Sequence, residues 1–547
     1  MTVPNEQSLR RSVAQLHQLL MVSAFAFASI GTPATAQMDM RGMKMAVQKP
    51  AKTKKKSTKK YAVEHRDARS AAVKRTRKLA RKPVQAAGNV QHEKSAAPMN
   101  MPMDGSMATP SQPSPGGQMT TPMPAQPAPG APMTMPMNER QASQMGAMPM
   151  QGAGHGMQGM TTKAALGPYP ERRESSGTAW QPNASSAMSG PIIMAGGWML
   201  MAHGTVNLVF DHQSGPRGED KAFVSGILMA MASRPVGNGS MLQLRTMLSP
   251  DPLMGPSGYP LLLQTGETAN GRTPLVDRQH PHDLFMELSA SVSQQIGANS
   301  SVFIYGGLPG EPAFGPPAFM HRESIMDSPE APITHHWLDS THVSFGVVTA
   351  GLVLDGVKLE LSRFNAREPD QHRWNIETGR LDSTSVRLSW NPVRTLALQG
   401  SWGHFTDPEQ LEPGVDQKRL SASALWADDV APGWHMAATL AWGRKTVEHH
   451  SDDAFAAEAS LASGGWTFFG RGEMVDNREL LGLQEHGRAF RVGKLSLGAV
   501  RDFPIADHLS VGAGALFAVD FVPALLAPLY GSRNQTGAMG FVRFKLH

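Results

Sequence analysis

Two kinds of residue in this 547-residue chain are spaced for metal chemistry, methionines in runs and histidines in pairs. Met38, Met40, Met43 and Met45 form one group, Met99, Met101 and Met103 a second, Met133, Met135 and Met137 a third, and Met148 with Met150 a fourth. Thioethers are soft donors that need no deprotonation, and an M-x-M spacing lets two sulfurs of a flexible chain reach one ion, which suits Cu(I) or Ag(I). The alternatives are methionine as an adaptable apolar filler or as an oxidation scavenger. The surrounding residues 98–190 are rich in Pro, Gly and Gln and show no hydrophobic period, so there is no core for the sulfurs to fill.

Histidine gathers in the polar stretches of residues 191–547, at His212, His280, His282, His321, His335, His336, His372, His449, His450 and His486. The densest places are His280-Pro281-His282-Asp283 and His335-His336. Two imidazoles with a carboxylate suit Cu(II) or Zn(II), although a loop histidine is more often simply solvated and Pro281 restricts the convergence of its neighbours. Motifs of enzyme chemistry are missing: no G-x-S-x-G, no H-E-x-x-H and no P-loop occurs, and the nearest Ser/His pairing, Ser340 with His342, is of a kind that arises by chance. No enzyme is expected.

The elements that must position these residues follow from the turns. Short connections near residues 236–240, 297–300, 355–356, 391–394, 428–433, 463–465 and 503–507 alternate with long ones near 211–221, 249–283, 309–340, 365–381, 406–418, 444–453, 475–489 and 521–536. Fifteen connections sorted in this way predict an all-β fold, a closed antiparallel transmembrane β-barrel of about 16 strands with all eight long loops at one end. Within the strands, Leu509, Val511, Ala513, Ala515, Phe517, Val519 and Phe521 share one side, and Trp426, Trp434 and Trp442 fall at strand ends, where an aromatic girdle sits. A soluble β-sandwich or β-solenoid also alternates, but sixteen Gly-rich strands with length-sorted loops suit closure better. Parity points Gln243, Arg245, Lys358, Glu360, Arg387, Glu458, Arg471, Glu473, Arg543 and Lys545 inward, as a lumen wall of both charge signs that either lines a channel or pairs structurally. The last strand alternates Val542, Phe544 and Leu546 with Arg543, Lys545 and His547.

Arg10 and Arg11 precede an apolar stretch over residues 19–30, and Ala34-Thr35-Ala36 is an A-x-A cleavage pattern, so residues 1–36 read as a signal peptide. Residues 37–97 hold 18 basic and 4 acidic residues, a net +14, with no core-forming pattern. They read as a basic disordered arm whose partner in the periplasm is an anionic envelope polymer such as peptidoglycan, or lipid head groups, rather than nucleic acid; an arm that is only a solvated spacer fits equally. Residues 98–190 form the Met/Pro/Gly-rich disordered segment. Residues 191–547, the barrel, carry 27 basic and 36 acidic residues, a net −9.

A secreted chain with Met38-Asp39-Met40 and the runs 99–103 and 133–137 ahead of a barrel resembles, in architecture, the Met-rich copper-resistance outer-membrane proteins of the B type. That resemblance implies an outer-membrane protein in envelope copper handling or tolerance, with copper ion bound by the arm and copper-handling periplasmic proteins as partners. The reading from a different class is a general porin-like channel or envelope-anchoring barrel in which the arm is a spacer.

Overall fold

The structure, a computed structural model, describes residues 163–186, 190–482 and 487–547. The segments read as a signal peptide and a basic arm, and every methionine of the four runs, lie outside the described residues, as does His486.

Strands β2 (Trp198–Gln213), β3 (Asp220–Gly237) and β4 (Ser240–Leu248) begin the wall, preceded by β1 (Ile192–Ala195), a short hairpin partner of the start of β2. The wall continues through β7 (Phe285–Gly297), β8 (Ser300–Gly310), β9 (Ser344–Leu354), β10 (Val357–Phe364), β11 (Ser383–Val393) and β12 (Leu396–Phe405). It is completed by β13 (Gln417–Ala431), β14 (Trp434–Val447), β15 (His450–Ser463), β16 (Trp466–Asn477), β17 (Phe490–Ala506), β18 (Leu509–Phe521) and β19 (Asn534–Leu546). Each wall strand pairs antiparallel with its neighbours, and β19 closes on β2 in a register running from Leu546↔Gly204 to Gly537↔Gln213. The result is a closed barrel of 16 strands.

Period-2 alternation is what makes the wall two-faced. Outward positions carry Leu208, Phe210, Leu244, Ile304, Leu361, Leu388, Leu440, Leu497 and Phe517, all exposed apolar side chains with no protein to cover them. Trp390, Trp434, Trp466, Phe503 and Phe544 ring this band near the short turns, and Phe210, Trp402, Phe455 and Phe521 ring it towards the other rim. An apolar belt between two aromatic girdles is the surface of a membrane-spanning barrel. The turns at residues 394–395 and 432–433 lie on one rim and the connection from β8 to β9 on the other.

One connection departs from the expected pattern. A long loop was expected over residues 444–453, yet β14 runs to Val447 and β15 begins at His450, leaving the two-residue turn Glu448–His449 with Glu448 at φ +48°. The polar residues there are strand residues: Lys445 and Asp452 face the interior, while Arg444 on the outer face forms a bidentate ion pair with Asp453 at 2.8 Å. A wall whose inner face is polar and whose upper outer face meets head groups is not apolar on either side, so it reads like a loop.

The interior is filled by three segments. Residues 249–284 hold an inner hairpin of β5 (Tyr259–Thr268) and β6 (Pro274–Gln279), which pair only with each other. Residues 311–343 fold inward across the lumen, where Ala313 N donates to Ser362 Oγ, Arg322 pairs with Glu458 and Thr334 donates to Glu473 on the wall. The third filler is residues 163–186, where the expectation of a structureless segment up to residue 190 is corrected: Ala164, Leu166, Tyr169, Ala179 and Trp180 are buried. The reason is that this segment needs no hydrophobic period, because the wall satisfies its backbone. Ser293 Oγ donates to Ala165 O at 2.6 Å, Ser301 Oγ to Leu166 O at 2.7 Å and Asn391 Nδ2 to Gln181 O at 2.8 Å. Its contacts to Asn391 and to the backbone of Arg394 place it toward the short-turn rim.

Candidate metal centre

Inward-facing charges of the wall hold these fillers in place. Arg245 donates to Gly177 O at 2.5 Å and pairs with Glu287 at 2.7 Å. Arg387 pairs with Glu360 at 2.9 Å and donates to Thr178 Oγ1 at 2.9 Å, and Lys358 donates to Thr178 O. On the opposite wall Arg471 pairs with Glu473 at 2.9 Å and donates to the backbone of Glu330 and Ala331, and Glu473 accepts from the backbone and hydroxyl of Thr334. Arg322, fully buried, bridges Glu458 at 2.7 Å and Asp339 at 2.6 Å. These groups are all buried, so each charge is matched by a partner rather than by bulk water.

So pinned, the inner hairpin and the inward loop bring five imidazoles into a chain. Ring centroids are 5.5 Å apart for His336 and His280, 5.9 Å for His280 and His335, 5.1 Å for His335 and His342, and 5.0 Å for His342 and His282. The four histidines of the two sequence pairs thus meet, and a fifth, His342, joins them. In His282, His335 and His342, one ring nitrogen from each lies within 4.8 Å of the others. A tetrahedral ion with bonds of about 2.1 Å sets its ligands about 3.4 Å apart, so closing on an ion draws the rings in by about 1.4 Å.

Besides converging, each of these three rings has its Nδ1 held by an oxygen. His282 Nδ1 is 2.8 Å from Asp251 Oδ2, His335 Nδ1 is 2.8 Å from Asp339 Oδ1, and His342 Nδ1 is 2.7 Å from the carbonyl oxygen of Asp339. A carbonyl or carboxylate oxygen only accepts, so each ring carries its proton on Nδ1 and turns a bare Nε2 elsewhere. Nε2 of His282 and of His342 has no hydrogen-bond partner among the described residues. A carboxylate or carbonyl behind each imidazole is the arrangement that orients metal-binding histidines. Burial pushes the imidazoles of His335, His336 and His342 below the usual range and that of His280 down to about 4, so these rings are neutral and ligand-competent near pH 7. Phe319 packs against His282, His335 and His342 as an apolar wall. The Ser340 and His342 pair makes no nucleophile: Ser340 Oγ accepts from Arg419, and His342 points to Asp339.

His280 and His336 face the other way. His280 Nδ1 meets Glu267 at 2.9 Å and His336 Nδ1 meets Glu368 at 3.2 Å. Gly266 is required beside them, since a Cβ there would lie 2.5 Å from His336 Cε1, at φ +114°. Glu267 and Glu368 border a cavity of about 450 Å³ near the long-loop rim, whose walls also carry Glu409, Glu412, Glu448, Asp452, Asp476 and Glu479 against Lys445 and Arg478. His282 borders a separate cavity of about 560 Å³ that extends to Gly464, Gly465 and His547 at the short-turn rim. The imidazole chain therefore spans from the wall of an acidic vestibule to the wall of the second cavity. Histidine pairing was legible in the sequence, but Asp251, Asp339 and His342 come to the centre only through tertiary folding and carry no local signal.

No family model matches this chain, and no curated protein matches it. Among solved structures it is similar to a Salmonella typhi OmpF in complex with daunomycin, at 12% identity over 65% of this chain and 100% of that chain, with a TM-score of 0.42. It is also similar to an anion-selective porin from Comamonas acidovorans, at 11% identity over 64% of this chain and 99% of that one, with a TM-score of 0.38. An OmpT from the outer membrane of Vibrio cholerae matches at 8% identity over 65% and 100% of the two chains, with a TM-score of 0.37.

Proposed function

We propose that this protein is an outer-membrane barrel that handles transition-metal ions, with His282, His335 and His342 holding Cu(II) or Zn(II) in the lumen. The observation that carries the reading is the convergence of the three rings, one nitrogen of each within 4.8 Å of the others, with every Nδ1 held from behind by an oxygen; imidazole nitrogens are donors of borderline softness. The acidic vestibule supports entry from the long-loop side, because a cavity whose walls carry eight carboxyl groups against two basic side chains raises the local concentration of cations. In this reading the long loops face the outside, the short turns face the periplasm, and the Met-rich runs of the arm take Cu(I) there.

The barrel class by itself speaks more directly for a porin-like channel, since sixteen strands enclose a lumen wide enough to conduct; the histidine centre is what favours metal. Zinc separates the centre from the arm, because thioethers discriminate against Zn(II). The purified full chain is expected to bind one equivalent of Zn(II) that His342→Ala loses, with barrel assembly checked by heat-modifiable gel mobility. If correctly assembled His342→Ala binds Zn(II) as the parent does, the metal reading of the lumen fails and the porin-like reading stands. The arm is tested separately by Cu(I) affinity after Met99, Met101, Met103, Met133, Met135 and Met137 are replaced by Leu.

A further inference from the structure

A second group of donors lies on the barrel wall itself. In the registers of β2, β3 and β4, His203 stands directly opposite Met229 and Met229 directly opposite Met247, so the three form one row across adjacent strands. All three are buried on the lumen side, at 8%, 4% and 3% exposure. Directly opposed residues on one face have Cβ atoms about 5 Å apart, within reach of two thioethers and an imidazole. The inward loop adds a fourth donor over the row, since His321 Nε2 lies 3.2 Å from Met247 Sδ.

Packing explains the methionines only in part. Met229 and Met247 join Ile227, Met286, Val343 and Phe345 in an apolar cluster of the lumen, and methionine suits such irregular filling. Packing does not explain His203. Both of its ring nitrogens are buried without a hydrogen-bond partner among the described residues, which is costly for a polar side chain unless something else satisfies it. Its ring stands edge-on to His321 at 6.3 Å between centroids. Burial pushes the His321 imidazole down to about 3, so that ring is neutral and free of the charge that would repel a cation. His203 and His321 both border the cavity that extends to the short-turn rim.

We propose that His203, Met229, Met247 and His321 form a site for a soft monovalent ion, Cu(I) or Ag(I), distinct from the centre of His282, His335 and His342. Two thioethers and two neutral imidazoles, in an apolar setting with no carboxylate among the donors, select for softness and low charge. This inference rests on the metal-handling reading, yet it uses different residues and a different class of ion, so each can fail alone.

The experiment titrates Ag(I) into the purified full chain and into the Met229→Leu/Met247→Leu variant, which keeps bulk and apolarity while removing both sulfurs. The variant is expected to bind one equivalent of Ag(I) fewer than the parent while keeping the Zn(II) equivalent of the other centre. His203→Phe, which keeps an aromatic ring and removes both nitrogens, is expected to lose the same equivalent. It decides alone if the leucine variant does not assemble. An assembled variant of either kind with the parent's Ag(I) stoichiometry overturns the site. Loss of Zn(II) but not Ag(I) likewise overturns it and leaves only the histidine centre.

Discussion

An imidazole whose Nδ1 is already engaged binds metal differently from a solvated one, because its geometry is fixed in advance and its proton is on the far side. In the lumen this has a pH consequence. An exposed histidine takes up a proton near pH 6.5, whereas burial holds His335 and His342 below that point. Protons therefore compete with Zn(II) for His335 and His342 only below pH 6.5, and the Zn(II) affinity of the full chain is expected to fall less steeply through 6.5 than it would for three exposed imidazoles; a three-proton decline beginning above 6.5 would contradict the burial. The metal-free protein should respond over the same range. The folded-state value of His280, about 4, lies under its unfolded value, so the unfolded chain binds more protons between the two. The contribution of His280 to stability is thus full above pH 6.5 and lost as pH falls towards 4, measurable as a falling melting midpoint. Glu360 offers a sharper perturbation, because it pairs with both Arg387 and Lys358 in a pocket with almost no exposure. Glu360→Gln leaves two buried cations short of a partner and is expected to cost about 3–5 kcal/mol. An unchanged melting midpoint in detergent would mean that water reaches this pocket.

At the scale of elements, the legible part of the fold is the part governed by parity. Outward Leu509, Val511 and Phe517 against inward Ser510, Gly512 and Asp520 can be read directly because one face meets lipid and the other does not. Where neither face is apolar, as at Lys445 and Asp452, parity falls silent and a strand passes for a loop. The segment at residues 163–186 escapes for a related reason: it docks by its backbone onto serine, asparagine, lysine and arginine side chains, and such docking imposes no period on its own sequence. Removing it is an informative deletion. Without residues 163–186 the lumen behind Arg245, Lys358 and Arg387 is unfilled, and single-channel conductance in a planar bilayer is expected to rise well above that of the full chain. Equal conductance would show that the other two fillers, residues 249–284 and 311–343, set the passage.

At the scale of the molecule, the absence of cysteine from all 547 residues makes single-cysteine labelling clean. A cysteine at Arg272, between β5 and β6, or at Gly414, before β13, should react with a membrane-impermeant maleimide in intact cells. One at Gly464, in the turn between β15 and β16, should react only after the outer membrane is opened. The opposite pattern would invert the orientation and with it the direction assigned to the acidic vestibule. The closing seam carries a further consequence, for the order of events during assembly. Every other neighbouring pair in the wall is also neighbouring in wall sequence, whereas β19 must find β2 from the far end of the barrel. Loop-closure entropy makes that pairing the most expensive to nucleate, so the seam is the last to form. The strand that waits for it, β2, is the one that follows residues 163–186 in the chain. Until the ring shuts, the lumen is an open trough into which that segment can be laid sideways, with no threading through a mouth, and a chain ending before Asn534 would keep the trough and never become a vessel.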